Sequence, residues 1–386
     1  MKELVKFELY KIFSKKVVWI LLIGCIIASL SDTVTSYLDI KSKGLTYSSI
    51  QQIGKEYEGQ VITQKKQDIF EEKCSNLLRK YYKDKTSLND QEKVQAFGMM
   101  DYMFWINPQY MVNGRMYKLD DMKKEIKRLE KEGATDTYEY KELKYIHDLI
   151  AKKPTPKYYF KFGWREATDF NMNCMWMSIL ILISICTIFS NEYQSNTASI
   201  VLSSKNGQKN LIKAKVIAGL IFSTFVFLVM NGIQIIILAM HGFKGWNLPM
   251  SFLSSYVRTP YDTNIGTLYI WGLIVSFIGI LLFTLLIMLA SLISKNNLVS
   301  LAIGVVILQG PEFIGRFMPT YNLTKNFTEL NVENLIGPIS MFGSISTYNI
   351  LGKPVLYLNV IVTLAIVSIP IVLYFINRLG KKQVVQ

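Results

Sequence analysis

Thr263 to Pro311 reads TNIGTLYIWGLIVSFIGILLFTLLIMLASLISKNNLVSLAIGVVILQGP, and Lys295 is its only charge. As one helix this stretch would run to about 74 Å at 1.5 Å per residue, more than twice a hydrocarbon core of about 30 Å. It is therefore two crossings, folded back at the polar turn Ser294-Lys295-Asn296-Asn297. Backbone amides in lipid find partners only within a helix or a closed barrel, and these blocks are of helix length. Four more uncharged runs, at residues 17 to 31, 170 to 191, 216 to 243 and 354 to 377, bring the expected spans to six.

Charge outside the runs orients them. The net charge of +14 invites a nucleic-acid reading, but its location removes it. Residues 1 to 16, 191 to 215 and 378 to 386, with Lys295, hold thirteen Lys/Arg against Glu3, Glu8 and Glu192. Such an excess beside spans marks the cytoplasmic side, and an even number of spans places all four segments there. The stretches 241 to 267 and 318 to 353 hold two basic residues each, as outward loops should. The expectation is a multi-pass protein of the cell (cytoplasmic) membrane, with both termini cytoplasmic, facing membrane lipid and no nucleic acid.

The fold class expected is an all-α polytopic membrane protein. Residues 1–16, with Val5, Leu9, Ile12 and Phe13 on one helical side, form an amphipathic interfacial helix. The first transmembrane helix follows at 17–37, lengthened past Asp32 by Thr33, Val34 and Tyr37. The competing reading is a signal peptide ending near Ala28-Ser29-Leu30; Glu3 and Glu8, which make the start amphipathic, weigh against it. Residues 38–170 are a helical extracytoplasmic domain, with 25 Lys/Arg against 22 Asp/Glu across 32 to 170. There, Leu119, Met122, Ile126 and Leu129 pair with Tyr140, Leu143, His147 and Ile150 as antiparallel helices. Earlier helices are expected from about Ser48 to Lys83 and from about Asn89 to Phe104. Tyr158, Tyr159, Phe160, Phe162 and Trp164 read as an aromatic belt. Residues 171–386 carry transmembrane helices two to six. The apolar loop at 318 to 353 is either a short helix pair dipping into the outer leaflet or a folded loop against the large domain.

Chemistry is sparse. No Gly-x-x-x-x-Gly-Lys-Ser/Thr loop is present to cradle a nucleotide. His147 and His241 are the only histidines, too far apart for zinc spacing or a His-based triad. His147 reads as a core histidine and His241 as the outer end of the third span. Cys25, Cys174 and Cys186 lie in spans and Cys74 in the large domain, as small buried hydrophobes, a Cys74 to Cys174 bridge being the outside alternative. Polar residues within spans mark helix contacts or a substrate path: Asn231 and Gln234 on one face of the third span, and Glu312 with Arg316 after Pro311. Gly24 to Ala28 and Ser300 to Gly304 are small-residue spacings for close packing, and Pro370 should kink the last span.

The most informative segment follows the second span: Glu192-Tyr193-Gln194-Ser195-Asn196-Thr197, continuing to Lys205-Asn206-Gly207-Gln208-Lys209 and ending at Lys215. A short helix with a basic end between two spans can transmit a push; a solvated basic loop is the alternative. The order resembles the permeases of type-2 ATP-binding-cassette exporters, in which an acid ends the second span, a coupling helix follows, and a basic turn leads through a lysine into the third. Glu192 matches the acid, Thr197 the residue after the usual glycine, Lys209 a basic turn residue and Lys215 the final lysine. Asn196 stands where glycine is common, and Lys205-Asn206-Gly207-Gln208 replaces a proline-containing turn ending in arginine.

The resemblance spans the whole membrane part in order. It implies a cytoplasmic coupling helix at about 192–209 docked on a separate ATP-binding subunit, with Glu192, Thr197, Lys205, Gly207, Lys209 and Lys215 as coupling residues. It also implies a second permease copy or a homologous permease, and no cofactor in this chain, ATP and Mg residing in the partner. Asn231, Gln234, Glu312 and Arg316 are the possible substrate path. The alternative is a non-transporting membrane receptor or immunity protein whose ectodomain binds an extracellular peptide. An intramembrane enzyme is disfavoured, since no nucleophile-base pair and no metal cluster appear in the sequence.

Overall fold

The computed structural model describes residues 1–46, 48–49, 55, 58–61, 64–105, 108–159, 162–168, 171–197, 207–317 and 328–382. The chain is mostly helical, and among the described residues six helices are long and apolar enough to cross a membrane, which makes it a multi-pass membrane protein. Their polar interruptions explain where they stop. Helix α1 (Lys2–Phe13) is separated by two residues from α2 (Lys16–Ser42). The α2 helix runs beyond the expected end at Tyr37, because nothing between Tyr37 and Ser42 breaks a helix.

Most of the described part of the large insertion folds as two helix pairs. The first is α3 (Gln64–Lys83) with α4 (Asp90–Trp105), packed through Leu77, Leu88, Ala96 and Phe97. The start of α4 is a capping box, the Asn89 side chain accepting from the Glu92 amide at 2.8 Å and Glu92 accepting from the Asn89 amide at 3.0 Å. The second pair is the expected antiparallel one, α5 (Pro108–Lys131) with α6 (Tyr138–Ala151), joined through Gly133 at φ +71°. Met122, Ile146 and Ile150 form its core, with Leu119 and Leu143 against it. The single helix expected from Ser48 to Lys83 is corrected: residues 48, 49 and 55 are helical, but Gly59, at φ +80°, turns the chain and α3 begins at Gln64. Gly59 donates its amide to the Tyr158 carbonyl, and Tyr158 donates to that of Gln60.

The chain then enters the bundle through α7 (Phe162–Thr168) and α8 (Asn171–Ile185), reaching α9 (Ser190–Gln194). Helix α10 (Gly207–His241) is followed by α11 (Ile265–Ser294) and α12 (Asn297–Phe317). The turn between α11 and α12 lies where expected. Lys295 takes the left-handed conformation at φ +51°, and the Asn296 side chain accepts the amides of Leu298 and Val299. Beyond α12, α13 (Val332–Ile336) and α14 (Ile339–Gly343) lead through a hairpin of β1 (Thr347–Ile350) and β2 (Lys353–Leu356) to α15 (Tyr357–Lys381).

Lipid is as apolar as leucine, so helices in it associate by close packing and hydrogen bonds rather than by escape from water. Helix α11 is the hub, packed by α8, α10, α12, α13 and α15. A Cβ on Gly279 would stand 2.8 Å from the backbone of Leu335 and Ile336, so α13 lies directly on α11. Gly304 receives the tip of Leu182, whereas Gly24 faces open space within the chain. Thr284 donates to Ser223 at 2.7 Å, joining α11 to α10. The loop before the last span takes something from both readings over residues 328–356: it carries a short helix pair, α13 and α14, whose Leu335, Ile336, Met341 and Phe342 are buried in the bundle core, and its strand β2 packs on α6 of the large insertion. The loop's hairpin is a β element that helical patterning did not anticipate.

Tyr158 and Trp164, expected in an aromatic belt, are buried in protein instead, the Trp164 indole donating to the Lys244 carbonyl at 3.1 Å. All four cysteines are buried thiols, with no Cys74–Cys174 bridge. The lysine-rich segments meet at one end of the bundle, where Lys295 lies over the Tyr193 ring. At the other end Lys153 pairs with Asp262, Lys244 with Glu58, and Tyr138 with Thr347.

Candidate functional site

Glu192 ends the second span on α9, and local sequence dictates why it is held there. The chain leaves α8 through a turn at Cys186 to Phe189, whose amide, with that of Ser190, donates to the Ser291 hydroxyl of α11 at 3.1 Å. Ser190 in turn donates to Asn297 at the start of α12, at 2.5 Å. The segment closes at Asn196, which adopts φ +54°. Asn is among the few non-glycine residues that occupy the left-handed region without large cost. Asn196 thus has a backbone reason for its place at this turn. Thr197 donates its amide back to the Glu192 carbonyl at 3.0 Å.

The Glu192 carboxylate enters a cluster of four charges. Lys215, nine residues into α10 and 1% exposed, donates to the Ile188 carbonyl at 2.6 Å, and its Nζ lies 2.7 Å from Glu192 Oε1 and 3.5 Å from Glu8 Oε2. Lys11 lies 2.9 Å from Glu8 and 3.1 Å from Glu192. Two acids and two ammoniums alternate, so the cluster is neutral. Burial draws the Lys11 ammonium down, but Glu8 and Glu192 outweigh it and hold its pKa above the usual lysine value. Beside the cluster, Lys15 donates to the Thr187 hydroxyl at 2.7 Å.

Of the residues predicted from sequence, the structure unites Glu192 and Lys215 and places Thr197 next to them. Gly207 is the first residue of α10 and Lys209 lies exposed in its first turn, so both are already helical rather than in a loop. Lys205 and most of the expected coupling helix lie outside the described residues. Sequence reasoning missed Glu8 and Lys11. The available signal was Glu8 itself, which lies among Val5, Leu9 and Ile12 on the apolar side of α1, where a carboxylate requires a buried cation.

The four candidate path residues separate. Asn231 is buried, donating to the Phe227 carbonyl at 2.9 Å and to Met177 of α8 at 3.7 Å, which makes it a helix contact. Gln234 lies one turn further along α10, half-buried. Glu312 and Arg316 form the expected pair at 2.6 Å. Both line a cavity of about 840 Å³ between α8, α12 and α13, which Asn231 and Gln234 do not reach. Gln309 and Glu333 meet at 3.0 Å on its wall, and Met175, Ile179 and Leu308 make much of the rest apolar.

No family model, curated protein or solved structure matches this chain. The site is thus defined by its geometry alone. Among the described residues no three His, Cys, Asp or Glu side chains are placed to hold a metal ion. His147 is half-buried, its ring 3.2 Å from the adjacent Asp148. What the charged cluster can do is mechanical: it fastens α1 to α10 and to the α8–α9 turn, so displacing α9 displaces all three.

Proposed function

We propose that this chain is the membrane-spanning permease subunit of an ATP-binding-cassette exporter, moving a peptide, lipid or drug-like substrate across the cell membrane with ATP hydrolysed by a separate subunit. The observation that carries the reading is the Glu192–Lys215 contact. Two residues picked out by resemblance, 23 positions apart in sequence, meet in a buried cluster that also captures Glu8 and Lys11. A partner pressing on the segment after α9 would move α8, α10 and α1 as one unit. In this proposal the cluster end is cytoplasmic, as its lysine-rich segments favour, and α1 lies in the inner interface. The large domain is extracytoplasmic, and the cavity walled by Glu312 and Arg316 belongs to the substrate path.

The test is purification of the tagged chain from its native membrane in mild detergent, with identification of co-purifying proteins and an ATP hydrolysis assay. The expected result is a co-purifying ATPase subunit whose hydrolysis is uncoupled by Glu192→Gln or Lys209→Ala, with membrane insertion intact. A chain that comes down alone or with only an extracellular peptide, without ATP hydrolysis, would overturn the reading and favour a receptor or immunity protein.

A further inference from the structure

The cavity of about 840 Å³ between α8, α12 and α13 has two unlike ends. At one, Gly304 receives the tip of Leu182, and Ile179, Val305 and Leu308 make the wall apolar. The other end lies about 16 Å further along α12, where Gly315 meets Thr328 and the wall is built from Glu312, Arg316, Asn331 and Glu333. The volume falls within the range of about 300 to 1,000 Å³ of small-molecule sites, in which apolar walls bind and a few polar groups set orientation.

The polar end holds two acids and one base. Arg316 donates to Glu312 Oε1 at 2.6 Å, its own side chain 74% exposed. Gln309 donates to Glu333 Oε1 at 3.0 Å. Among the described residues no donor reaches Oε2 of either Glu312 or Glu333. With both ionised, the acids share a single guanidinium and leave a net charge of −1 beside apolar walls. Burial first, and then repulsion from Glu312, holds the Glu333 carboxyl above the ordinary carboxylate range despite the Gln309 bond.

We propose that this cavity binds an amphiphilic organic cation, with a protonated amine between Glu312 and Glu333 and an apolar chain laid along Ile179, Leu182 and Leu308. Charge and hydrogen bonding select that head. Each Oε2 accepts a charge-assisted hydrogen bond, which an ammonium bearing N–H groups supplies and a quaternary one does not. An anionic head would have to enter beside both carboxylates. Arg316 is then a competing cation rather than a ligand. The inference deepens the exporter reading by naming a class of cargo, and rests on that reading only in calling the occupant cargo.

The experiment uses the full chain in nanodiscs of phosphatidylcholine, whose head carries no N–H donor. Three probes share one tail: decylammonium, decyl sulfate and decanol, titrated calorimetrically as monomers with empty nanodiscs subtracted. Saturable binding of decylammonium, about tenfold tighter than either other probe, is expected. Glu312→Gln or Glu333→Gln should weaken decylammonium about tenfold, as loss of a hydrogen bond to a charged group implies, and leave decanol unchanged. Arg316→Gln should tighten decylammonium binding by removing the competing cation, a gain that misfolding cannot produce. Repeating the titration in phosphatidylethanolamine assigns the source of the amine: weakened apparent affinity means that the bilayer's own lipid amine occupies the cavity, and unchanged affinity that a free amine does. Tighter binding of decyl sulfate, equal affinities for all three probes, or weaker decylammonium binding in Arg316→Gln would overturn the inference. The two readings fail separately. Decylammonium binding without any ATPase partner removes the exporter and leaves this site, whereas an ATPase partner with no selectivity for the amine does the reverse.

Discussion

Glu8 and Lys215 are 2% and 1% exposed, and taking such ions out of water costs several kcal/mol each unless neighbours restore the loss. Lys215→Met would leave Glu8 and Glu192 sharing Lys11 alone and should cost about 3 kcal/mol, read as a fall in the melting temperature of the detergent-solubilised chain. Lys11→Met removes an ammonium that is 34% exposed and screened by water, and should cost about 1 kcal/mol or less. Equal losses would contradict the buried, alternating arrangement. Because the Lys11 pKa is raised in the fold, its contribution is complete below the usual lysine value and fades only as pH rises through the higher one. Burial, outweighing the hydrogen bond from Gln309 and helped by repulsion from Glu312, pushes the Glu333 carboxyl above the ordinary carboxylate range. The sign is opposite to that of a salt-bridged acid: ionising Glu333 weakens the fold as pH rises. Glu333→Gln should therefore raise the melting temperature near neutral pH and leave it unchanged below the carboxylate range. A uniform shift at all pH values would refute that account. Glu192 and Lys215 were picked out through the resemblance; Glu8 and Lys11 pair with each other three residues apart, and what the sequence could not show is their meeting with Glu192 and Lys215 almost two hundred residues away.

At the scale of elements, two glycines separate backbone contact from side-chain contact. A Cβ on Gly279 meets the backbone of α13 at 2.8 Å, which cannot move without lifting Leu335 and Ile336 from the core, whereas a Cβ on Gly304 meets the side-chain tip of Leu182. Gly279→Ala should cost about 3 kcal/mol, the upper range for overpacking. Gly304→Ala should cost about 1 kcal/mol or less, since Leu182 can change rotamer and alanine favours the helix by about 1 kcal/mol. Limited proteolysis of residues 328–346 would report the first, and equal sensitivity in both variants would show that α13 is not anchored at Gly279. The long apolar helices were legible because length and absence of charge suffice for a span. The start of α3, the hairpin and the burial of Trp164 were not. Each depends on a partner distant in sequence: Tyr158 for the Gly59 turn, α6 for β2, and the Lys244 carbonyl for the indole.

Across the whole molecule, the large domain and the loops at its end of the bundle are latched together. Lys153, buried, donates to the Tyr261 carbonyl and pairs with Asp262, and Thr347 donates to Glu142. Lys153→Ala with Glu142→Ala should free α5 and α6 to open locally, raising their amide exchange by about tenfold, as losing one or two hydrogen bonds to charged groups implies. Protection in α11 should be unchanged; a loss there would mean that the domain and bundle fold as one unit. The sequence by itself determined the class: six spans, the two-helix seam of α5 and α6, and the turn at Lys295, because local hydrophobicity, spacing and capping act within a few residues. Tertiary structure alone decided that α1 shares buried ions with α9 and α10, that α13 and α14 enter the bundle core, and that Glu312 lines a cavity while Asn231 does not. Those outcomes depend on which faces meet when the chain folds back on itself, and helical periodicity names the faces but not their partners.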